Sequence, residues 1–175
     1  MKKFKLTSEF IVDISGVKLF RIKALIEFGN VKAGDLGGYI EKEENLSHMG
    51  NAWVSGNAQV SGDARVSGDA RVSGNAQVSG DARVSGNARV SGDAQVFGDA
   101  RVSGDKDYAY AHGFGSCNRT TTFFRLKDGD VGVRCGCFYG TLAQFRDNVC
   151  ETHGETKKAQ EYLMLADLMD FRFKN

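Results

Sequence analysis

A six-residue period runs through the middle of the chain and constrains its fold more than any other feature. From Gly50 to Ser103, nine consecutive hexads follow the pattern Gly-[Asn/Asp]-Ala-x-Val-Ser, and Phe97 is the one residue that replaces the serine. Alternate side chains of a strand share a face, so the alanine and valine point one way and residue x points the other. Ser-Gly-[Asn/Asp] is typical of a turn, because glycine adopts a positive φ without strain. Such self-similarity predicts a solenoid.

Three strand-and-corner units close one triangular coil, so the nine hexads predict three complete coils of 18 residues. Residues 18 apart then lie one strand spacing apart, about 4.8 Å. The outward residues x therefore sort into three columns, one on each side of the coil. The first column holds Gln59, Gln77 and Gln95, the second holds Arg65, Arg83 and Arg101, and the third holds Trp53, Arg71 and Arg89.

The hexads resemble the hexapeptide-repeat family, in which inward aliphatic residues such as Val54 and Val60 alternate with small residues such as Ala58 and Ala64. Here the glycine follows the valine by two positions, whereas the commonest family pattern has it one position after. The resemblance implies a left-handed parallel β-helix. It also implies a homo-oligomer, with a trimer favoured. The uncharged side formed by Gln59, Gln77 and Gln95 is the candidate interface, since packing it buries no unpaired charge.

Residues 1–49 are expected to form an N-terminal β cap and an irregular first coil. Apolar runs at 10–12 and 19–22 flank Ser15-Gly16 and predict a hairpin. A six-residue apolar spacing from Ile40 to Leu46 slips by two before Val54. A cap is expected here because the end of a solenoid exposes unpaired strand edges.

Residues 106–175 are expected to form a C-terminal α+β module beyond the repeat segment, 50–105. Two apolar runs, 120–126 and 131–137, predict a second hairpin. Thr141 and Gln144 form a capping box for a helix that ends at Gly154. A second, amphipathic helix is predicted over 155–171. The fold class is therefore mainly β: a parallel β-helix of about four coils with an N-terminal hairpin cap and a C-terminal α+β module.

Charge and hydropathy exclude several partners. The formal net charge is +1, and residues 50–105 hold five arginines against six aspartates. Non-specific nucleic-acid binding depends on uncompensated Lys and Arg, so it is not expected. No apolar run is long enough to span a bilayer, and the start of the chain lacks the apolar core of a signal peptide. We therefore expect a cytoplasmic protein without a membrane partner.

The arginine columns and a glycine-rich segment are the candidate binding residues. Stacked arginines suit phosphate groups through bidentate hydrogen bonds, although surface solubility also explains them. The segment 112–120 could hold a phosphate through backbone N–H groups, or could be a plain connector. Trp53 and Phe97 interrupt the repeat and are expected to contact either the terminal units or a partner. The candidates outside the columns are Phe97, His112, Asn118, Arg119, Thr120, and the helpers Arg125 and Arg134.

Enzymatic and metal chemistry are not predicted. Acyltransferases of the hexapeptide-repeat family typically use a histidine base, and no histidine lies between residues 50 and 104. His48, His112 and His153 all lie outside the repeats. Four cysteines, Cys117, Cys135, Cys137 and Cys150, could supply zinc ligands. The alternation of Val131, Val133, Cys135 and Cys137 to one face favours buried packing instead. We predict no catalytic residue, no metal and no cofactor.

The chain as a whole is similar to a family of phage and prophage proteins. The similarity lies in FRIKALIEFGNVKAGDLGGYIEKEENLS before the repeats, in VSGDARVSGDARV within them, and in VRCGCFYGTLAQF and ETHGETKKAQEYL after them. It implies a small accessory protein made in the cytoplasm of an infected bacterium. The expected function is non-enzymatic antagonism of a host defence, by binding an anionic nucleotide signal or a host protein. The alternatives are an acyltransferase and a structural or assembly protein of the virion.

Overall fold

The N-terminal segment folds as a hairpin in a computed structural model that describes residues 1–115 and 118–174. Its strands, β1 (Phe4–Val12) and β2 (Lys18–Ala24), are antiparallel and longer than the sequence predicts. Asp13 closes the turn, because its Oδ1 accepts hydrogen bonds from the backbone N–H groups of Ser15 and Val17. The hairpin tip forms one wall of the candidate site described below.

The first coil is irregular, as its slipped spacing predicts. It consists of β3 (Leu36–Ile40), which pairs with β2, and a short 3-10 helix at Glu43–Asn45. Ile40 pairs with Val60 and Leu46 with Val66, a separation of 20 residues, whereas the regular coils keep 18. The two extra residues are taken up before the first full hexad.

The hexads form a parallel β-solenoid. Each contributes a strand of two residues, namely its residue x and its valine. In chain order these strands are β4 (Trp53–Val54), β5 (Gln59–Val60), β6 (Arg65–Val66), β7 (Arg71–Val72), β8 (Gln77–Val78), β9 (Arg83–Val84), β10 (Arg89–Val90), β11 (Gln95–Val96) and β12 (Arg101–Val102).

The three sides of the solenoid are three parallel sheets. The glutamine side continues through β3 into the hairpin, in the order β1-β2-β3-β5-β8-β11. The other sides are β4-β7-β10 and β6-β9-β12. Residues pair in the predicted register, for example Gln59 with Gln77 and Arg65 with Arg83. Every alanine and valine of the hexads is buried in the interior.

The C-terminal module contains more strands than its sequence predicts. Its antiparallel sheet has four strands, β13 (Tyr108–Phe114), β14 (Arg119–Arg125), β15 (Val131–Cys135) and β16 (Phe138–Thr141). The hairpin β14-β15 is the predicted one. The outer strands escaped prediction because β13 is rich in small residues and β16 is only four residues long. Helices α1 (Leu142–His153) and α2 (Lys157–Phe173) follow, with the predicted capping box at Thr141 and C-cap at Gly154.

Successive side chains of β14 point to opposite faces of the C-terminal sheet, so one face packs on the helices and the other packs on the solenoid. Phe123 faces the helices, where it packs with Phe145. Phe124 and Leu126 belong instead to the same core as the solenoid valines. The fold class expected from the sequence is therefore confirmed: a β-solenoid of about four turns with a strand-rich N-terminus and two C-terminal helices. Neither helix in the described part of the chain is long and apolar enough to cross a membrane.

Both open ends of the solenoid ladder are capped by specific groups. Each coil donates its N–H groups to carbonyls of the next, as Gln59 does to Ala76. The first carbonyls of the ladder therefore need donors from outside it, and Lys3 Nζ and Asn45 Nδ2 supply them. The last N–H groups need acceptors, and Gln95 N–H donates to Thr122 Oγ1 while Arg89 N–H donates to Asp105 Oδ1. Capping prevents unpaired edges from pairing with other chains.

Candidate functional site

The glutamine column forms the floor of a groove. Two adjoining cavities, of about 500 Å³ and about 400 Å³, share Gln77 and Gln95. Both volumes lie within the roughly 300–1,000 Å³ typical of small-ligand sites. We name this combined depression the glutamine groove, and its principal lining residues are Asp13, Ile14, Ser15, Val17, Glu41, Gln59, Asn75, Gln77, Asp93, Gln95, Phe97, His112, Asn118, Arg119, Thr120, Arg134 and Gly136.

The walls of the groove come from both terminal units. The hairpin tip, Asp13–Val17, lines the larger cavity at the N-terminal end. The C-terminal sheet contributes Arg134 to the larger cavity and Arg119 to the smaller one. The repeats alone would present a flat side, so the concave shape depends on the two units that flank them.

The three glutamine amides are unpaired in the groove. Among residues 1–115 and 118–174, none of these side chains hydrogen-bonds to another residue. The neighbouring corner column behaves differently, because Asn57 Nδ2 donates to Asn75 and Asn75 Nδ2 donates to Asp93 Oδ1, at 3.3 and 3.1 Å. Each free amide offers two donors and a carbonyl acceptor to a ligand.

The structure brings together the four predicted residues of segment 112–120 that it describes. His112, Asn118, Arg119 and Thr120 all line the smaller cavity beside Gln77 and Gln95. His112 Nδ1 lies 2.9 Å from Thr120 Oγ1. Gly136 faces the same place, and a β-carbon there would collide with the Arg119 guanidinium. Cys117, within this segment, lies outside the described residues.

Phe97 packs against the C-terminal module, one of its two expected contacts. Its ring lies 5.0 Å from that of Tyr139 in an edge-on arrangement. The guanidinium of Arg134 lies 4.9 Å from the centre of the Phe97 ring. This cation–π contact holds Arg134 at the wall of the glutamine groove.

Two predicted binding residues have structural roles. Trp53 is only 4% exposed because Phe28 of the N-terminal segment packs edge-on against it, with ring centres 5.4 Å apart. Packing against a terminal unit is one of the two contacts expected for Trp53, and its burial leaves almost no surface for a partner. Arg125 donates to the carbonyl oxygens of Gly129 and Phe173 and lies over the Phe173 ring. Its guanidinium ties the C-terminal sheet to α2 and does not line the glutamine groove.

The arginine columns lie away from the segment 112–120. Arg65 and Arg83 line a separate cavity of about 680 Å³ on the second side of the solenoid. Arg101 is turned back, since its Nη1 donates to the carbonyl oxygens of Asp81 and Ala100. Arg71 and Arg89 stack in register on the third side. The segment 112–120 folds over the glutamine side of the solenoid, so the two sets of candidate binding residues lie on different sides.

The histidines outside the groove have packing roles. His48 stacks on Phe4 with ring centres 4.3 Å apart, and its Nδ1 accepts a hydrogen bond from the backbone N–H of Lys3. His153 stacks on the ring of Tyr162. His112 is the histidine that reaches the glutamine groove.

The expectation of buried cysteines is wrong for Cys137 and Cys150, which are exposed, and holds only in part for Cys135. The alternation breaks because β15 ends at Cys135 and Gly136 turns the chain with a positive φ. No group of three or more His, Cys, Asp or Glu side chains could hold a metal ion within the described ranges.

Sequence reasoning missed the hairpin tip and Glu41 as parts of the site. Glu41 Oε2 accepts a hydrogen bond of 2.6 Å from the backbone N–H of Gly62, which holds this carboxylate at the edge of the groove. The slip of two residues between Ile40 and Val54 is the sequence signal for this part of the site, since it marks the coil that departs from the regular solenoid.

Comparison with known proteins supports the repeat architecture. A family model described as the YdcK beta solenoid repeat matches residues 58–74, 64–80, 76–92, 82–96 and 94–105. A search of curated proteins found no match to this chain. The matches fall within the regular coils, so together with the structure they show a repeat β-solenoid protein.

Proposed function

We propose that this chain is a non-enzymatic binding protein that holds an anionic nucleotide in the glutamine groove. The observation that carries the proposal is the meeting of Gln77 and Gln95 with His112, Arg119 and Thr120 around one cavity. Amides without protein partners and basic side chains lie within the same depression. This combination matches a ligand that has both a base edge and a phosphate.

Each part of such a ligand has a complementary group in the groove. The glutamine amides present a donor beside an acceptor, the pattern that pairs with the edge of a purine or pyrimidine. Arg119 and Arg134 supply guanidinium groups, which bind phosphate through two parallel hydrogen bonds. Arg119 lines the smaller cavity and Arg134 the larger one, so each cavity has one guanidinium group for a phosphate.

The carboxylates around the groove are partly engaged by the protein. Glu41 accepts from Gly62 N–H, Asp13 accepts from Ser15 and Val17, and Asp93 accepts from Asn75. Hydrogen bonds to a carboxylate spread its charge and reduce its repulsion of an anion. The arginine side chains can then determine the preference of the groove for phosphate.

The resemblances extend the proposal to a biological role. Similarity to the phage and prophage family supports an accessory protein that acts in the bacterial cytoplasm and antagonises a host defence by sequestering its nucleotide signal. Similarity to the left-handed hexapeptide-repeat family supports a homo-oligomer such as a trimer. Because the glutamine column is the floor of a groove, we assign it to the ligand and not to contacts between subunits.

Isothermal titration calorimetry with cyclic oligonucleotides and with ADP-ribose tests this proposal. The double variant Gln77→Ala/Gln95→Ala and the single variant Arg119→Gln should each weaken binding at least tenfold. Arg89→Gln is the matched control, because it changes the same kind of outward position on another side and should leave Kd within twofold. Glutamine is native at this position in other hexads, so the control variant should fold.

Two outcomes would overturn the nucleotide proposal. One is the absence of heat and of any thermal shift with these ligands at millimolar concentration. The other is binding that the groove variants leave unchanged. Stoichiometric capture of one host protein that the groove variants abolish would assign the groove to a protein partner instead.

A further inference from the structure

The cavity on the second side of the solenoid has the features of a separate anion site. It is lined by Glu43, Glu44, Leu46, Ser47, His48, Arg65, Val66, Ser67, Arg83 and Ser85, and has a volume of about 680 Å³. It shares no residue with the glutamine groove. We propose that it binds a pyrophosphate group, carried either by free inorganic pyrophosphate or by a larger phosphorylated molecule.

Two stacked guanidinium groups are the centre of this site. Arg65 of β6 and Arg83 of β9 pair in register, which separates their backbones by about 4.8 Å. Both side chains are exposed. In the described part of the chain, no carboxylate oxygen lies within 4 Å of either guanidinium. Stacked like charges repel, and two linked phosphate groups would relieve that repulsion in both arginines at once.

The nearby carboxylates are already neutralised by lysines. Lys42 Nζ lies 2.8 Å from Asp63 Oδ1, and this hydrogen bond lowers the pKa of Asp63. Lys2 Nζ contacts both carboxylate oxygens of Glu43, at 2.8 and 2.9 Å. Of the two lining carboxylates, Glu43 is paired with Lys2, and Glu44 makes no ion pair within 4 Å in the described part of the chain. Two guanidinium groups therefore face one unpaired carboxylate.

A column of serine hydroxyls borders the arginine pair. Ser47, Ser67 and Ser85 follow the strands on this side and occupy equivalent corners of successive coils. Ser47 Oγ accepts a hydrogen bond from Met49 N–H. The hydroxyls of Ser67 and Ser85 hydrogen-bond to no residue within 1–115 and 118–174. Each is therefore a donor available to a phosphate oxygen.

The third arginine of this column lies outside the site. The Arg101 guanidinium donates to the carbonyl oxygens of Asp81 and Ala100 and does not line the cavity. The site therefore has two arginines rather than three, which favours two linked phosphate groups over an extended polyanion. An extended polyanion would need further arginines of the same column to line the cavity.

Titration calorimetry with inorganic pyrophosphate at constant ionic strength tests the assignment. The double variant Arg65→Gln/Arg83→Gln should weaken binding at least tenfold. The matched control is Arg71→Gln/Arg89→Gln, which removes an equally stacked pair that does not line this cavity and should change Kd by less than twofold. Parallel titrations with inorganic phosphate and with ADP separate a free anion from one carried by a larger molecule.

Three results would overturn the pyrophosphate site: no saturable binding, an equal loss in both double variants, or phosphate binding as tight as pyrophosphate. An equal loss would show a general effect of charge. The groove variant Gln77→Ala/Gln95→Ala should leave pyrophosphate binding unchanged. The pyrophosphate proposal and the nucleotide proposal can therefore be refuted independently of each other.

Discussion

Lys3 Nζ donates a hydrogen bond of 2.8 Å to the carbonyl oxygen of Ala52, and a second of 3.3 Å to that of Gly50. These carbonyls belong to the first regular hexad, where no earlier coil supplies an N–H on this side. Lys3 is 1% exposed, and its ammonium lies 4.7 Å from the centre of the Phe28 ring. A lysine from the N-terminal segment thus completes the ladder of the solenoid.

Lys3→Met should lower the free energy of unfolding by about 1–3 kcal/mol at pH 7, because it leaves the buried carbonyl of Ala52 and the partly buried carbonyl of Gly50 without this donor. Lys5→Met is the matched control, since Lys5 lies two residues further along, in β1, and is exposed. Urea denaturation followed by circular dichroism measures both variants. Equal stability of the two variants would contradict the capping role.

The stability of the protein should rise with pH above neutrality through Lys3. Burial lowers the pKa of Lys3 from 10.5 to about 8, against an opposing effect of Asp69. Between pH 8 and 10.5 the unfolded chain therefore keeps a proton that the folded chain has lost, and the free energy of unfolding increases with pH. The difference in stability between wild type and Lys3→Met, measured by urea denaturation at pH 7 to 10, should widen across this window. Parallel profiles would refute the assignment to Lys3.

Three glycine variants should separate backbone strain from steric contact. Gly80 has φ +71°, and a β-carbon there would lie 2.9 Å from the backbone nitrogen of Gly98 in the next coil. Gly16 has φ +82° with open space around it, and Gly104 has open space and no positive φ. Substitution by alanine should cost about 1–2 kcal/mol at Gly16 from strain alone, more at Gly80, and less than about 0.5 kcal/mol at Gly104. Thermal or urea denaturation of the three variants gives the order, and a loss at Gly104 as large as at Gly80 would refute it.

Phe97→Ser restores the consensus of the hexads and should nevertheless destabilise the protein. The substitution removes the contacts with Tyr139 and Arg134, so we expect a loss of about 1–3 kcal/mol and faster hydrogen exchange in β16. Arg134→Gln keeps the aromatic pair and should cost only about 0.5–1 kcal/mol. A neutral or stabilising effect of Phe97→Ser would show that this corner does not dock the C-terminal module.

Thiol reactivity should follow the exposure found in the structure. Cys137 and Cys150 are exposed, whereas Cys135 is half-buried and its sulfur accepts a hydrogen bond of 3.2 Å from Thr121 Oγ1. In a Cys117→Ser background, two thiols should react rapidly with Ellman's reagent and the third should react more slowly. Peptide mapping identifies them, and rapid labelling of Cys135 ahead of Cys137 would contradict the structure.

The regular part of the fold could be predicted from the sequence because it repeats a local rule. The alternation of Ala58, Gln59 and Val60 determines which side chains point inward, and the glycine corners determine where each strand ends. Once 18 residues close a coil, the register of every column follows. The capping box at Thr141 and the two-residue slip before Val54 are likewise local signals, and the structure contains both.

The candidate site could be predicted only in part. The composition of residues 112–120 is compatible with a ligand-binding loop or with a plain connector, and it does not indicate which column of the solenoid the segment faces. The side on which the C-terminal sheet docks depends on Phe97 of the last coil meeting Tyr139 and on Gln95 N–H meeting Thr122, which are contacts between residues distant in sequence. Other non-local contacts bury Trp53 against Phe28 and let Arg125 hold α2.

The six-residue period predicts the solenoid, its three columns and the positions of its caps, because it expresses local backbone geometry and burial. The groove over the glutamine column and the second cavity beside Arg65 and Arg83 follow only from the folded chain. Hairpin, first coil and C-terminal sheet pack through non-local contacts, and periodicity carries no information about these. Concave surfaces form where those units meet the regular sides.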